Sequence, residues 1–323
     1  MLRTPLARNL YRQASGPGCL ASCAAPPPRE LYQCTLENLN TTLAQAWYPL
    51  ACDEGCQEFV RLSCSEASAI FLQLLYSILL TLLSPFMSRT SINGLLGRGS
   101  MYILSTNQAS RLFHQAGMPS TQQKFGSLLD VGAGDGEVTK HLAPLFHHVY
   151  ATEQSPTMRW RLKRANFTVL EEDEWGDRMF DVVSCLNLLD RCSEPQTLLR
   201  RVRQSILPGG FLLVGMVFPL SQCVEKGPKM ADATERLPAC TSTHWEENVE
   251  KIVAEFFEPA GFQLRTLSRA PYLSKGDLSV SYYKLDEALF LFQTTSEEND
   301  ASRTDQSSGM HADVTSPQSS FQV

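Results

Sequence analysis

One stretch, residues 127–137, constrains the fold of this chain more than any other. An apolar run there meets Asp130, and three glycines then follow at alternate positions. The apolar residues predict a buried strand, and residues 138–145 predict a helix that is stopped or kinked at Pro144. Glycine permits a sharp turn and lets a ligand approach bare backbone. A strand, a glycine turn and a helix N-terminus in this order predict the first βα unit of a nucleotide-binding type of fold. The three glycines are Gly132, Gly134 and Gly136.

The spacing of these glycines favours a cationic ligand over a phosphate. Dinucleotide-binding folds use the pattern GxGxxG, which places a pyrophosphate against the helix N-terminus. This chain has an acid, one further residue and then GxGxG, and an acid beside the turn would repel a phosphate. S-adenosylmethionine (SAM) carries a sulfonium and an ammonium group and no phosphate, so the pattern suits it. The glycine pattern alone leaves a different ligand of the same fold open.

Length, charge and cysteine content set outer bounds. The 323 residues allow one large domain with extensions, and the net charge of -6 argues against broad nucleic-acid binding. Six of the ten cysteines lie at or before Cys64, two pairs of them spaced CxxxC, which invites a zinc site. However, no histidine precedes His114 and the spacing is not the usual one. We therefore expect no metal. Disulfides are possible if this segment enters an oxidising compartment, and free thiols are expected otherwise.

The N-terminal third has two unusual segments. Residues 1–29 contain arginines and no acid before Glu30, which is the composition of a mitochondrial transit peptide or of a disordered basic arm. Residues 67–86 contain no charge, which raises the possibility of a membrane span. Four polar residues on one helix face favour instead an amphipathic helix that packs on the domain or lies on a membrane surface. These residues are Gln73, Ser77, Thr81 and Ser84.

From residue 125 onward, strands and helices alternate, which predicts an α/β fold with a mostly parallel sheet. We accordingly divide the chain into an N-terminal extension (1–60), a helical cap with a glycine-rich loop (61–124), a core (125–294) and a polar tail (295–323). The extension and the tail are expected to be dispensable for activity. Residues 219–243 are expected to form a long polar loop. Strands are predicted at 127–131, 148–152, 167–170, 180–186, 211–218, 262–267 and 282–292, and helices at 158–165, 195–206 and 245–259.

In an open α/β sheet, ligands bind beyond the carboxyl ends of the strands, so the residues at those ends are the candidate site. The first strand supplies Asp130 and the glycine turn, for the methionine part of SAM. The second ends at Glu153, whose carboxylate can accept both ribose hydroxyls. The third enters an acidic run in which Asp173 is the candidate for the adenine amino group, with Glu174 or a merely solvated loop as alternatives.

The fourth predicted strand is followed by Asn187 and Asp190, which are three residues apart and can face one cavity if a helical turn starts there. Asn187 offers both a donor and an acceptor. We place the methyl acceptor against this pair. An N-cap role for Asp190, or a pair with Arg191, is the alternative.

Four stretches of the chain resemble the DREV family of class I SAM-dependent methyltransferases, over roughly residues 60–293. They are residues 87–101, 130–137, 150–153 and 184–192. The resemblance implies a Rossmann-like fold with a mostly parallel seven-stranded sheet and an antiparallel C-terminal strand. It also implies SAM as cofactor and Tyr283, from a tyrosine pair, at the substrate. The compartments that it suggests are the endoplasmic reticulum and the mitochondrion, with the cytoplasm as the alternative if the N-terminal segment is not a targeting signal. We further expect a monomer.

By resemblance alone, the substrate is a protein histidine in a His-x-His motif with small x, methylated at Nδ1, the pros nitrogen. Neutral imidazole keeps one ring nitrogen with a free lone pair. If Asp190 accepts Nε2–H, Nδ1 is left to attack the methyl group, and the carboxylate stabilises the cationic ring that forms. A small-molecule methyltransferase of the same fold and a SAM-binding non-catalytic scaffold are the alternatives.

Overall fold

Eight strands form one mixed sheet in the part of the chain that the computed structural model describes, residues 25–118 and 124–295. With the two strands of a separate hairpin, the described residues contain ten strands: β1 (Met101–Tyr102), β2 (Phe125–Val131), β3 (Phe146–Thr152), β4 (Thr168–Val169), β5 (Phe180–Leu186), β6 (Ile206–Val217), β7 (Val224–Lys226), β8 (Lys229–Ala231), β9 (Phe262–Lys275) and β10 (Tyr282–Thr294). The sheet order is β1-β9-β10-β6-β5-β2-β3-β4, and β7 and β8 form a separate hairpin.

The sheet is parallel from β4 through β3, β2 and β5 to β6, and β10 joins it antiparallel to β6. This is the class I methyltransferase topology, so the predicted α/β fold with an antiparallel C-terminal strand is confirmed. The number of strands was predicted one too low. β9 continues to Lys275, beyond the predicted end at residue 267, and the extra length pairs with the short strand β1. The strand end was predicted too early because the polar residues Ser268 and Arg269 interrupt the apolar pattern. Beyond them, Ala270 and Tyr272 are buried and continue the strand.

Helices cover both faces of the sheet and build the N-terminal cap. They are α1 (Thr41–Ala46), α2 (Glu54–Ser68), α3 (Ile70–Leu83), α4 (Arg89–Leu96), α5 (Thr106–Gln115), α6 (Thr139–Leu142), α7 (Pro156–Arg164), α8 (Pro195–Gln204) and α9 (Trp245–Ile252), with a π-helical turn at Val253–Phe257. α5 begins with a capping box, in which Ser105 and Gln108 satisfy each other's backbone N–H groups. The helix predicted at 158–165 begins earlier, with Pro156 as its first residue.

Residues 29–60 pack against the sheet rather than standing apart from it. Leu43 is buried in the larger hydrophobic cluster, and Trp47 meets Trp245 edge to face at 6.1 Å between ring centroids. The backbone of Tyr48 bonds to β9, donating to the carbonyl of Leu267 at 2.8 Å. The composition gave no indication of this packing. The basic segment 1–29, for which a transit peptide and a disordered arm are both open, and the polar tail lie mostly outside the described residues.

The uncharged segment 67–86 breaks at Ala69, so α2 and α3 are separate helices bent by 83°. Within the described residues, neither of them is by itself long and apolar enough to cross a membrane, and only the bent pair together reaches that length. The buried side chain of α3 is Gln73, which accepts from Arg98 at 3.0 Å. Of the four polar residues predicted to share one helix face, only Gln73 is buried, and Thr81 and Ser84 are exposed. Several large apolar side chains of α3 are exposed as well.

The predicted loop 219–243 contains structure of its own. β7 and β8 form its hairpin, and Glu225 on β7 accepts the backbone N–H groups of Arg89 and Thr90 at the start of α4. The backbone N–H of Cys223 donates to the carbonyl of Asp190 at 2.9 Å. The hairpin thus links the N-terminal cap to the loop that follows β5.

Candidate functional site

The glycine turn after β2 leaves backbone bare at the carboxyl edge of the sheet. All three glycines have positive φ, +72° at Gly132, +58° at Gly134 and +82° at Gly136. A Cβ on Gly134 would meet Met101 at an ordinary 3.7 Å, and no other described residue within 4 Å of it. A Cβ on Gly132 would lie 2.7 Å from Leu188, so the turn is packed directly against the loop that follows β5.

Asp130 lies beneath this turn and is 2% exposed. One carboxylate oxygen accepts from the hydroxyl of Thr139 at 2.6 Å and the other from the hydroxyl of Ser184 at 2.7 Å. Burial raises the pKa of Asp130 to about 6, although both hydroxyl bonds favour its charged form. The geometry therefore gives Asp130 the task of tying the turn to β5 and α6. The role predicted for it toward SAM stays a prediction.

Glu153 stands at the end of β3 and faces the turn. Its two oxygens accept the backbone N–H groups of Gly134 and Ser155, both at 2.9 Å. Burial raises its pKa, while these backbone bonds lower it. Glu153 and Asp173 line the same open cleft, so the structure brings together the residues predicted for ribose and adenine. The remaining lining residues are Gln154, Arg159, Glu171 and Glu172.

The glycine-rich block of the cap reaches the same turn from the other side. Ser100 donates to the carboxylate of Asp135 at 2.8 Å. Earlier in this block, which spans residues 88–101, the hydroxyl oxygens of Ser91 and Ser155 are 3.0 Å apart, and this contact joins α4 to the start of α7. The cap therefore lies over the carboxyl edge of the sheet, on which the candidate cofactor residues stand.

Asn187 and Asp190 both lie buried in the loop that directly follows β5. Asn187 has a left-handed φ of +55°, its backbone N–H donates to the carbonyl of Gly215 at 2.9 Å, and its side chain is 6% exposed. Asp190 is equally buried, and Nε of Arg191 lies 4.0 Å from its carboxylate. Burial raises the pKa of Asp190, and Arg191 opposes that rise. Arg191 in turn lies over the ring of Tyr272, 5.9 Å from its centroid.

Three buried oxygens in this cluster lack a hydrogen-bond partner among the described residues: Asn187 Oδ1, Asp190 Oδ1 and Glu287 Oε2. Buried polar atoms are seldom left unpaired, because each costs roughly 1–3 kcal/mol. A group of such atoms beside a glycine turn is therefore a candidate binding site. A ligand that donates hydrogen bonds would satisfy it.

Glu287 on β10 belongs to this cluster and was missed by the sequence analysis. Its Oε1 accepts from Nδ2 of Asn187 at 2.6 Å, and it is fully buried. Burial raises its pKa to about 8. Its carboxyl group sits directly against Gly215, where a Cβ would collide with it. Two features of the sequence could have indicated this contact. Gly215 interrupts the predicted apolar strand 211–218, and Glu287 is an acid within the predicted strand 282–292.

Tyr283 is not brought to this cluster by any contact that the described residues show. Its hydroxyl donates to Asp277 at 2.7 Å, and 44% of the residue is exposed. It lies four residues before Glu287 on the same strand, or about 13 Å away. Its charged neighbours are Arg89 and Arg98 of the cap. A role for Tyr283 at the substrate stays a prediction.

The residues at the turn fit SAM. Gly134 offers bare backbone, and the carboxylates of Glu153 and Asp173 share one cleft, as a ligand with ribose hydroxyls and an adenine amino group requires. No cluster of three or more histidine, cysteine, aspartate or glutamate side chains that could hold a metal occurs in the described ranges. The eight cysteines found there are free thiols.

Two solved methyltransferase structures are similar to this chain. Among solved structures, the chain is similar to the N-methyltransferase NodS from Bradyrhizobium japonicum in complex with S-adenosyl-L-homocysteine, at 14% identity over 54% of this chain and 80% of that chain (TM-score 0.34). It is also similar to an S-adenosylmethionine-dependent methyltransferase from Clostridium acetobutylicum, at 13% identity over 59% of this chain and 91% of that chain (TM-score 0.39).

The match to a protein family is more extensive. The family model described as DREV methyltransferase matches residues 31–294, which includes the cap, the whole sheet and every candidate site residue. The chain therefore belongs to the DREV methyltransferase family, and S-adenosyl-L-methionine is its cofactor.

Proposed function

We propose that this enzyme transfers the methyl group of SAM to Nδ1 of a histidine in His-x-His motifs of target proteins. The observation that supports this most is the pair of buried acceptor atoms, Asn187 Oδ1 and Asp190 Oδ1, which have no partner among the described residues. They lie in the loop that packs on the glycine turn through Leu188. A neutral imidazole brings an N–H donor for these acceptors and keeps a lone pair for the methyl group.

Asp190 has the central role in this proposal. Its carboxylate accepts Nε2–H of the substrate imidazole, which fixes the tautomer and leaves the lone pair on Nδ1. Bound SAM supplies an electrophilic methyl group on a sulfonium. As the ring becomes cationic, the negative charge of Asp190 stabilises it, and the burial of the carboxylate strengthens the interaction. Arg191, 4.0 Å away, favours the ionised form of Asp190.

Binding and orientation of SAM fall to residues on the other side of the turn. Gly134 would present bare backbone to the cofactor, and Glu153 and Asp173 would provide carboxylates for the ribose and the adenine. Much of the rate would come from holding the two reactants in line. The cap that reaches the turn through Ser100 would keep water from the reacting groups.

Incubation with SAM and synthetic peptides tests the proposal. A His-Ala-His peptide is compared with Ala-Ala-His, His-Ala-Ala and free histidine, and the products are analysed by mass spectrometry and by separation of the two methylhistidine isomers. We expect one isomer, Nδ1-methylhistidine, from the His-Ala-His peptide. Methylation of free histidine at an equal rate would support the small-molecule alternative. SAM binding without any peptide methylation would contradict the proposal.

A further inference from the structure

The contact between Asn187 and Glu287 determines which atom of the Asn187 amide is free. Nδ2 donates to Oε1 of Glu287 at 2.6 Å, and the other amide atom, Oδ1, is the one without a partner among the described residues. An oxygen on Glu287 accepts whether the carboxyl group is ionised or neutral. The pair therefore fixes the Asn187 amide with Nδ2 toward Glu287 and leaves the acceptor Oδ1 as its atom without a partner.

Three features show that this contact is built into the fold. The partners are 100 residues apart in sequence and meet because β10 lies beside β6. Glu287 pairs in register with Val217, and Gly215 leaves the space that its carboxyl group fills. A glycine weakens a strand and often marks a position that another group approaches closely. At Gly215 that group is the carboxyl group of Glu287.

We propose that Glu287 is a positioning residue, which holds the Asn187 amide so that Oδ1 faces the methyl acceptor beside Asp190 Oδ1. This inference rests on the proposed function for the site, and it adds a requirement. Two buried acceptors without partners among the described residues favour a substrate side chain that carries an N–H or O–H group, and they disfavour one that carries neither. The charged and titratable groups that face Glu287 are Asp190 and Arg191 from the loop after β5 and Tyr272 from β9.

Substitutions at Glu287 separate positioning from packing. Glu287→Met keeps the volume and removes the acceptor, whereas Glu287→Gln keeps an acceptor oxygen. We expect Glu287→Met to lower kcat by about 10- to 100-fold and Glu287→Gln by no more than about 3-fold, with SAM affinity within about 2-fold in both. Affinity for the His-Ala-His peptide, measured by calorimetry with S-adenosyl-L-homocysteine bound, should fall in Glu287→Met. Glu246→Met is the matched control, because Glu246 is another buried glutamate, which accepts a backbone N–H from Thr35 at 2.8 Å.

A double-mutant cycle supplies the decisive comparison. If Glu287 acts through Asn187, then Glu287→Met in an Asn187→Ala background should change kcat by no more than about 2-fold. An equal loss of kcat in both backgrounds would show a general structural role and overturn the proposal. Unchanged kcat and unchanged peptide affinity in Glu287→Met would also overturn it.

A spectroscopic measurement keeps the test independent of the substrate. The side-chain amide protons of Asn187, assigned by their loss in Asn187→Ala, should exchange with water slowly in the wild type and faster in Glu287→Met. Equal exchange rates would overturn the proposal. If the wild type methylates no peptide, the histidine proposal fails, and this comparison still decides the role of Glu287.

Discussion

Asp190 is a buried carboxylate with an incomplete set of partners. Arg191 approaches it only to 4.0 Å, and one of its oxygens accepts no hydrogen bond from any described residue. An ion pair at this distance contributes little to stability, because burying a charged group costs free energy unless the group also makes its hydrogen bonds. The same arrangement suits a group that completes its bonds with a substrate.

We therefore predict that Asp190→Asn lowers kcat by about 30- to 1000-fold, which corresponds to about 2–4 kcal/mol, and leaves SAM affinity unchanged. The amide removes the charge that stabilises the imidazolium, and it no longer enforces one tautomer. Peptide kinetics with isomer analysis and calorimetry with SAM measure the two effects. A variant that methylates at near wild-type rate, with one unchanged isomer, would make Asp190 a structural residue.

Glu287 predicts a pH dependence of stability. Its folded-state pKa of about 8 lies above the ordinary value of 4.5 because burial disfavours its charge. Between about pH 4.5 and pH 8, the folded protein keeps a proton on Glu287 that the unfolded chain has released. The stability of the fold is therefore unaffected by this group below about pH 4.5 and decreases as pH rises toward 8. Glu287→Gln cannot ionise. We expect the Tm of this variant, relative to wild type, to rise between pH 5 and pH 8.5.

Thermal unfolding of both proteins in matched buffers measures that difference. Asp130, Glu153 and Asp190, whose pKa values are also raised, are present in both proteins and largely cancel. A Tm difference that does not change with pH would mean that Glu287 has the same pKa in the folded and unfolded states.

Gly132 provides a test of the cofactor site. We predict that Gly132→Arg abolishes SAM binding, because the side chain would enter the turn and displace Leu188. Gly117→Arg is the matched control, since Gly117 also has positive φ (+90°) and no described atom within 4 Å of its Cβ position. Calorimetry with SAM and circular dichroism report binding and fold. Retained SAM affinity in a folded Gly132→Arg protein would contradict the assignment.

Among the elements, α3 has an orientation that packing alone does not explain. Its outward face carries large apolar side chains at helical spacing, including Phe71 at 90% exposed, Ile78 at 56% and Leu82 at 61%. Phe86, just after the helix, is 79% exposed. The helix itself has no charged residue. Contact of this segment with a membrane surface remains a prediction from the sequence.

We predict that replacing Phe71 and Ile78 together by serine weakens binding to phospholipid vesicles and leaves Tm and peptide methylation unchanged. Exposed side chains bury little area on folding, so their loss costs little stability. Vesicle co-sedimentation, thermal unfolding and peptide kinetics measure the three effects. Met230→Ser, at an exposed apolar position of the β7–β8 hairpin, is the control. Wild-type protein that does not sediment with vesicles would rule out the membrane contact.

At the scale of the whole molecule, the N-terminal segment and the sheet form one packed unit. Leu43 and Ala46 lie in the larger hydrophobic cluster, and Tyr32 lies in the second. Asp53 caps α2 and also accepts hydrogen bonds from Tyr102 and Ser105. Removal of residues 1–60 would expose these surfaces of the sheet.

We therefore predict that a chain of residues 61–295 has a Tm lower by more than about 10 °C than a chain of residues 25–295, since several buried side chains of roughly 1.5–3 kcal/mol each are lost. Thermal unfolding of the two truncated proteins is the measurement. Equal Tm values would show that the N-terminal packing contributes no stability, in agreement with the expectation from composition.

The sequence alone determined the alternation of strands and helices in the core and the candidate residues at the strand ends. Hydrophobic periodicity and glycine spacing are local properties, so they located β2, the glycine turn and β5. The rule that ligands bind beyond the carboxyl ends of parallel strands then placed Glu153, Asn187 and Asp190. The charges, donors and acceptors of these residues indicated SAM and an acceptor pair.

Only the tertiary structure decided how distant segments complete the site. β10 pairs with β6, and this long-range pairing brings Glu287 to Asn187, which no local pattern encodes. Likewise, α3 buries the polar side chain of Gln73, because Gln73 meets Arg98 of the cap, whereas an amphipathic pattern defines two faces and not their surroundings. The sequence lists which groups are available, and the packing of the sheet determines which of them meet.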